Sequence, residues 1–154
     1  MENVPHRETL RARLGRCGTS ERRELLARLR AEVSRLHAAG WFHRDLYLQH
    51  FVLSPRPARE GGGERMVLLD VGRARRERRP ARRWFVKDLA ALLHSCPAAV
   101  TNAERVRFLR DWLAARDEDE RASRRSWSRS ILTKARRLAA HEPRHFDPEP
   151  SEPS

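Results

Sequence analysis

Asp45 and Asp70 are the residues whose type and spacing most readily suggest chemistry. Asp45 lies in Gly40-Trp41-Phe42-His43-Arg44-Asp45-Leu46-Tyr47-Leu48-Gln49-His50-Phe51, and Asp70 in Leu68-Leu69-Asp70-Val71-Gly72, 25 residues further on. Either aspartate alone reads as an ordinary turn or strand-end carboxylate. Phosphoryl transfer, however, asks a protein chiefly for positioning and charge neutralisation: one carboxylate orients the attacking hydroxyl, and another holds magnesium against the nucleotide phosphates. Asp45 precedes one apolar run and Asp70 ends the next. If those runs pair as a hairpin, both carboxylates lie at one edge, and the pair can serve that chemistry.

The elements around them can be read from spacing. Ser20 is an expected N-cap, Glu21 and Glu24 suit a first turn, and Leu26, Leu29, Val33 and Leu36 recur at helical spacing up to Gly40, the expected stop. Phe51-Val52-Leu53 and Met66-Val67-Leu68-Leu69 predict two buried strands joined by a long tip, Ser54 to Arg65. Trp84, Leu89, Leu92 and Leu93 predict a buried helix from Trp84 to Ser95, closed by Pro97. Thr101 and Glu104 form a capping box that opens a helix with Val106, Leu109, Trp112 and Leu113 on one side. A basic helix is predicted from about Glu118 to Ala140, with Trp127, Ile131, Leu132 and Leu138 as its apolar stripe. Residues 1–18 form a polar N-terminal segment with a short helix around Glu8–Leu14 whose docking the pattern leaves open. Residues 19–141 make the main domain, and the proline-rich residues 142–154 are expected to be disordered.

Composition bounds the partners. The 154 residues suffice for one domain, and the net charge of +12 comes from arginine, since Lys87 and Lys134 are the only lysines. That excess suits a polyanion or an anionic membrane surface, or simply spreads over solvated helix faces. Cys17 and Cys96 are too few for a disulfide framework, and no run approaches the length of a membrane span. With no apolar leader at the start, the expected location is cytoplasmic, peripheral to the inner membrane at most. The basic helix has a single Trp, too little aromatic interleaving for stacking on bases, so nucleic acid is not an expected partner.

Residues Leu36–Leu46 resemble the catalytic loop of the protein-kinase-like superfamily, and Leu68–Ala74 its magnesium-binding Asp-x-Gly segment. More narrowly, "HRDLYLQHFVL", "LLDVGRAR" and "RWFVKDLAALLHS" together resemble the lipopolysaccharide core kinases, the Kdo/WaaP (InaA-like) family, over roughly residues 25–115. His50 carries the narrower likeness, for it stands five residues after Asp45, where most kinases have a metal-binding Asn. The resemblance implies an α+β fold, a kinase-like C-terminal lobe that is mainly helical with a small β-hairpin bearing the site. It implies ATP and Mg²⁺ as cofactors, and a lipopolysaccharide core sugar, heptose or Kdo, as acceptor. Asp45 would be the base, with His43 and Arg44 as members of the catalytic loop. Asp70 and His50 would hold magnesium and nucleotide, and Asp88, at the start of a buried helix, and Gly72 would support the loop. The short stretch from Arg73 to Trp84 favours a sugar or lipid hydroxyl over a protein side chain.

Residues 1–36 contain no lysine, and Gly61-Gly62-Gly63 lacks the Lys-Ser/Thr of a phosphate loop. The chain therefore reads as the C-terminal lobe, with an N-lobe as the expected missing partner. Two other readings stand beside this one. A pseudokinase or scaffold would use only the basic surface, and a kinase of another small molecule, such as an aminoglycoside or choline, would share the short segment after Asp70. The His-Glu-x-x-His pattern at His141–His145 is set aside, because Pro143 breaks the helix that zinc ligation needs.

Overall fold

The computed structural model describes residues 7–117, 119 and 122–141. Strand β1 (Glu8–Thr9) leads into α1 (Leu10–Arg16), where the Thr9 hydroxyl accepts the Ala12 N–H at 3.2 Å as an N-cap. Leu10 and Leu14 are fully buried, so this segment docks into the common core. The Glu8 carboxylate receives Arg13 and Arg16 at 2.7 Å each, which ties β1 to the helix that follows.

Helix α2 (Thr19–Ala38) is capped by Gly18, two residues before the expected Ser20. Its buried face is Arg22, Leu25, Leu29, Val33 and His37, while Leu26 and Leu36 pack only at its margin. The face is thus rotated toward Leu25 and ends on two polar side chains, each with a partner. Arg22 pairs with Glu104 at 3.0 Å, the same glutamate that closes the capping box of α4 (Asn102–Ala114). Burial alone would raise the Glu104 pKa, yet the Thr101 amide and the Arg22 guanidinium hold it below its ordinary value.

Gly40 turns the chain at φ +85°, in the left-handed region, and a Cβ there would run into the Glu77 carbonyl oxygen. That close approach belongs to a two-stranded sheet in which β2 (Trp41–Phe42) pairs antiparallel with β5 (Arg75–Arg76). The other sheet runs β1-β3-β4, with β3 (Phe51–Pro55) and β4 (Glu64–Leu68) forming the expected hairpin in register Phe51↔Leu68 to Pro55↔Glu64. Gly61, Gly62 and Gly63 all take positive φ at its tip, between two antiparallel strands and not between a strand and a helix as in a phosphate loop.

Helices α3 (Arg82–His94), α4 and α5 (Arg124–Ala140) complete the core against α2, with Trp112 and Trp127 in edge contact at 5.2 Å. Two residues of the expected stripes depart from it: Val106 is 63% and Leu132 46% exposed. Both rim an apolar cavity of about 270 Å³ between α2, α3, α4 and α5, lined by Leu29, Leu89, Leu92, Phe108 and Ile131. Among the described residues no helix is long and apolar enough to cross a membrane. Residues 142–154, with the expected proline-rich tail and all but the first residue of the His141–His145 pattern, lie outside the described residues.

Candidate functional site

The loop after β2 is held from below by one buried side chain. Asp88 has no exposure and lies in the middle of α3, not at the helix start the sequence suggests. One oxygen accepts the His43 N–H and the His37 Nε2–H, both at 2.9 Å, and the other accepts the Arg44 N–H at 2.9 Å. The tautomer of His37 follows from its other side, where the Trp112 indole N–H donates to Nδ1 at 3.1 Å. An indole nitrogen can only donate, so Nδ1 carries the lone pair and Nε2 the proton for Asp88. Three elements, α2, α3 and α4, converge on the loop through this network. Ser95, at the end of α3, adds a further anchor by accepting the Leu48 N–H at 2.9 Å.

His43 is buried and works within the loop. Its Nδ1 accepts the Asp45 N–H at 3.2 Å and its Nε2 donates to the Leu69 carbonyl at 3.2 Å, joining the loop to the end of the hairpin. Arg44 takes φ +78°, a costly conformation for a residue with a side chain, and its guanidinium lies over the Trp84 ring at 5.2 Å. Trp84 in turn stacks on Phe42, with centroids 5.0 Å apart and planes within 5°. Asp70 also takes a left-handed conformation, φ +55°. Two non-glycine residues with positive φ therefore flank the site.

His50 connects the two aspartates. Its Nδ1–H donates to the Asp45 carbonyl at 2.7 Å, and its Nε2 faces an Asp70 carboxylate oxygen at 3.6 Å. The His50 carbonyl also accepts the Leu69 N–H at 2.8 Å, fixing the hairpin's register beside the site. The Asp45 carboxylate is 22% exposed and is met by Arg73 Nη1 at 3.0 Å, whereas that of Asp70 is 66% exposed and open to solvent. The structure thus brings His43, Arg44, Asp45, His50 and Asp70 together above Asp88. Gly72 lies beside them, but its φ is not positive and nothing stands within 4 Å of where its Cβ would be, so neither backbone nor space demands glycine. Arg73, His37, Trp112 and Ser95 are additions that the sequence motifs did not single out.

A neutral His50 that donates from Nδ1 has its Nε2 lone pair directed toward a carboxylate oxygen, which is a two-donor edge for a cation. Among the described residues no three His, Cys, Asp or Glu side chains group as a metal cage. Of these two donors the Asp70 carboxylate suits Mg²⁺, which binds through one or two carboxylates and takes its other ligands from phosphates and water, whereas the imidazole is the poorer match for an ion that prefers oxygen.

The Lipopolysaccharide kinase (Kdo/WaaP) family model matches residues 1–112. The chain belongs to that family. It is 34% identical over 92 residues to lipopolysaccharide core heptose(I) kinase WaaP of Pseudomonas aeruginosa, a match covering 59% of this chain and 34% of that one. It is 39% identical over 75 residues to WaaP of Escherichia coli (strain K12), covering 48% and 28%. A solved structure, WaaP in complex with acyl carrier protein, superposes with a TM-score of 0.69 at 26% identity, over 90% of this chain and 58% of that one. The α+β, protein-kinase-like fold read from the motifs is the fold shared with WaaP. The chain spans about a third of the length of the curated relatives it matches.

Proposed function

We propose that this WaaP-like lobe carries the acceptor-activating half of an ATP-dependent phosphotransferase site, directed at a sugar hydroxyl of the lipopolysaccharide core, heptose or Kdo. The observation that carries the reading is the position of His50, which links the Asp45 backbone to the Asp70 carboxylate on a loop clamped by Asp88. In the proposed step the acceptor hydroxyl oxygen forms a bond to the γ-phosphorus while the bond to the β–γ bridging oxygen breaks. ADP leaves, and the hydroxyl proton passes to the Asp45 carboxylate. Asp70 and His50 would hold Mg²⁺, whose part is to neutralise charge on the phosphates. Asp45 orients the acceptor, and His43 and Asp88 keep the loop from moving.

No lysine precedes the loop, so the cation that pairs the ATP phosphates is assigned to a further polypeptide segment, the N-lobe of a complete kinase site. On this reading the protein would work at the cytoplasmic face of the inner membrane, where such an acceptor would be met. The test is transfer of label from γ-labelled ATP to a lipopolysaccharide core, with an N-lobe supplied. Asp45→Ala should abolish it, and unchanged turnover would remove Asp45 from the mechanism.

Arg73 favours a second reading. Its guanidinium occupies the Asp45 carboxylate, as a non-catalytic lobe would allow. Calorimetry separates the two, because a scaffold binds no ATP even with the N-lobe present. We extend one partner from the solved WaaP as well. The apolar cavity rimmed by Val106 and Leu132 suits an acyl chain, and acyl-loaded carrier protein should bind more tightly than the unloaded form.

A further inference from the structure

A cleft of about 660 Å³ between α3 and α5 is lined by six cations, Arg82, Arg83, Lys87, Arg129, Lys134 and Arg137, and, among the described residues, by no carboxylate. Several other arginines of the chain are paired with acids. Arg13, for example, meets Glu8, Glu21 and Glu64 within 3.0 Å. In the cleft, neutral groups hold the cations instead. Arg82 donates to the Ser126 hydroxyl at 2.8 Å and lies over the Trp127 ring at 4.3 Å, and Arg83 lies over Trp84 at 4.9 Å. Both lysines of the chain are here, although arginine supplies nearly all its other positive charge. Like charges gathered without counter-charge repel one another, and an anion entering the cleft relieves that repulsion.

The cleft adjoins the site through Trp84, a lining residue whose ring lies under the Arg44 guanidinium at 5.2 Å. Lys87 is in electrostatic reach of Asp45, Arg73 and Arg44 on one side and of Lys134 on the other. Its pKa is lowered, first by burial and then by Arg73, so it sits inside the cationic field and not at its edge. Aromatic rings that could stack on bases are not free, since Trp127 is buried and Trp84 is covered by Phe42. That argues against a nucleic acid and for a compact anion.

We propose that this cleft binds a phosphomonoester already present on the acceptor, separate from the phosphate being transferred. The inference rests on the phosphotransferase reading for the word acceptor, because proximity to Asp45 is what makes the bound group part of the substrate. It makes the acceptor a molecule phosphorylated elsewhere, anchored about the α3–α5 cleft while its free hydroxyl meets Asp45. The same chemistry can arrive on a lipid headgroup or as free phosphate.

The test uses the full chain without ATP, so its outcome does not depend on turnover. Sedimentation with phosphatidylcholine vesicles doped with phosphatidic acid should show binding, and vesicles doped instead with phosphatidylserine should bind less. The triple change Arg129→Ala, Lys134→Ala and Arg137→Ala should weaken binding by about tenfold or more. A control with equal charge loss at the hairpin tip and α2, Arg23→Ala, Arg56→Ala and Arg59→Ala, should bind as the parent does. Circular dichroism checks folding, and the milder Lys134→Gln gives a smaller loss in the same direction. Calorimetry with inorganic phosphate alone assigns the source: saturable binding without vesicle binding supports a soluble phosphate ligand. Equal losses in cleft and control variants, no binding of either probe, or tighter binding of an oligonucleotide would each overturn the site. Asp45→Ala should leave vesicle binding intact, so loss of phosphotransfer with retained binding separates the two proposals.

Discussion

A single nitrogen of Arg73, Nη1, straddles the Asp45 carboxylate, 3.2 Å from Oδ1 and 3.0 Å from Oδ2. Arg73 follows Gly72 and rides on the short 3₁₀ turn Val71–Arg73, so the segment that presents Asp70 also restrains Asp45. The two aspartates are therefore coupled twice, through His50 on the inside and through Arg73 toward solvent.

Replacing Arg73 with alanine separates these roles. The guanidinium is 56% exposed, and exposed ion pairs contribute about 0–1 kcal/mol, so urea unfolding should change little. In an active preparation kcat should fall about tenfold while the KM for ATP holds, because orientation of the acceptor is what is lost. Higher turnover in Arg73→Ala would instead identify the pair as a block on Asp45.

Asp88 should behave in the opposite way. Asp88→Ala strands the His43 and Arg44 amides and the His37 ring N–H, and each buried donor left without a partner costs about 1–3 kcal/mol. The urea midpoint should drop sharply with the slope unchanged. A loss below about 1 kcal/mol would mean that water replaces the carboxylate.

His50→Asn offers a donor and an oxygen in one side chain. The amide N–H can keep the bond to the Asp45 carbonyl while the amide oxygen faces Asp70, and magnesium prefers oxygen to imidazole. Magnesium-dependent nucleotide binding, read by calorimetry in the presence of an N-lobe, should be kept or strengthened in His50→Asn and lost in His50→Leu. Equal binding by both variants would confine His50 to bracing the loop.

Acid stability should report on Glu8. Hydrogen bonding from Arg16 first, with Arg13 beside it and burial opposing both, lowers its pKa from 4.5 to about 2. A carboxylate depressed in the folded state stabilises above its unfolded pKa and loses that contribution as pH falls through the folded value. The docking of β1 and α1 should thus weaken between pH 4.5 and about 2, and Glu8→Gln should flatten stability in that window. Urea titrations at several pH values check this, and a parallel decline in Glu8→Gln would assign the acid sensitivity elsewhere.

Local chemistry was legible in the sequence where it was contiguous. The capping box Thr101/Glu104, the turn at Gly40 and the hairpin between Phe51 and Leu68 follow from neighbouring residues, and so does the family motif around Asp45. Strands β1, β2 and β5 have two residues each, too few to show alternation, so the sheet that brings Arg75 beside Phe42 left no trace in the pattern. Trp112 looked like one more apolar stripe residue. Its polar edge matters because it meets a histidine 75 residues earlier, and no spacing rule reaches that far. Arg73 was hidden among many arginines, distinguishable only by the carboxylate it touches.

The Trp112–His37–Asp88 chain also sets how the loop opens. The His43 and Arg44 amides belong to a loop by shape, yet their acceptor is a fully buried oxygen pair on α3 that is itself tied to α2 and α4. Surface loops exchange their amide hydrogens through small local fluctuations, whereas these two can reach solvent only when the packing of three helices gives way. The loop should therefore share the slow exchange of the helical core, and its geometry should be as long-lived as the fold itself.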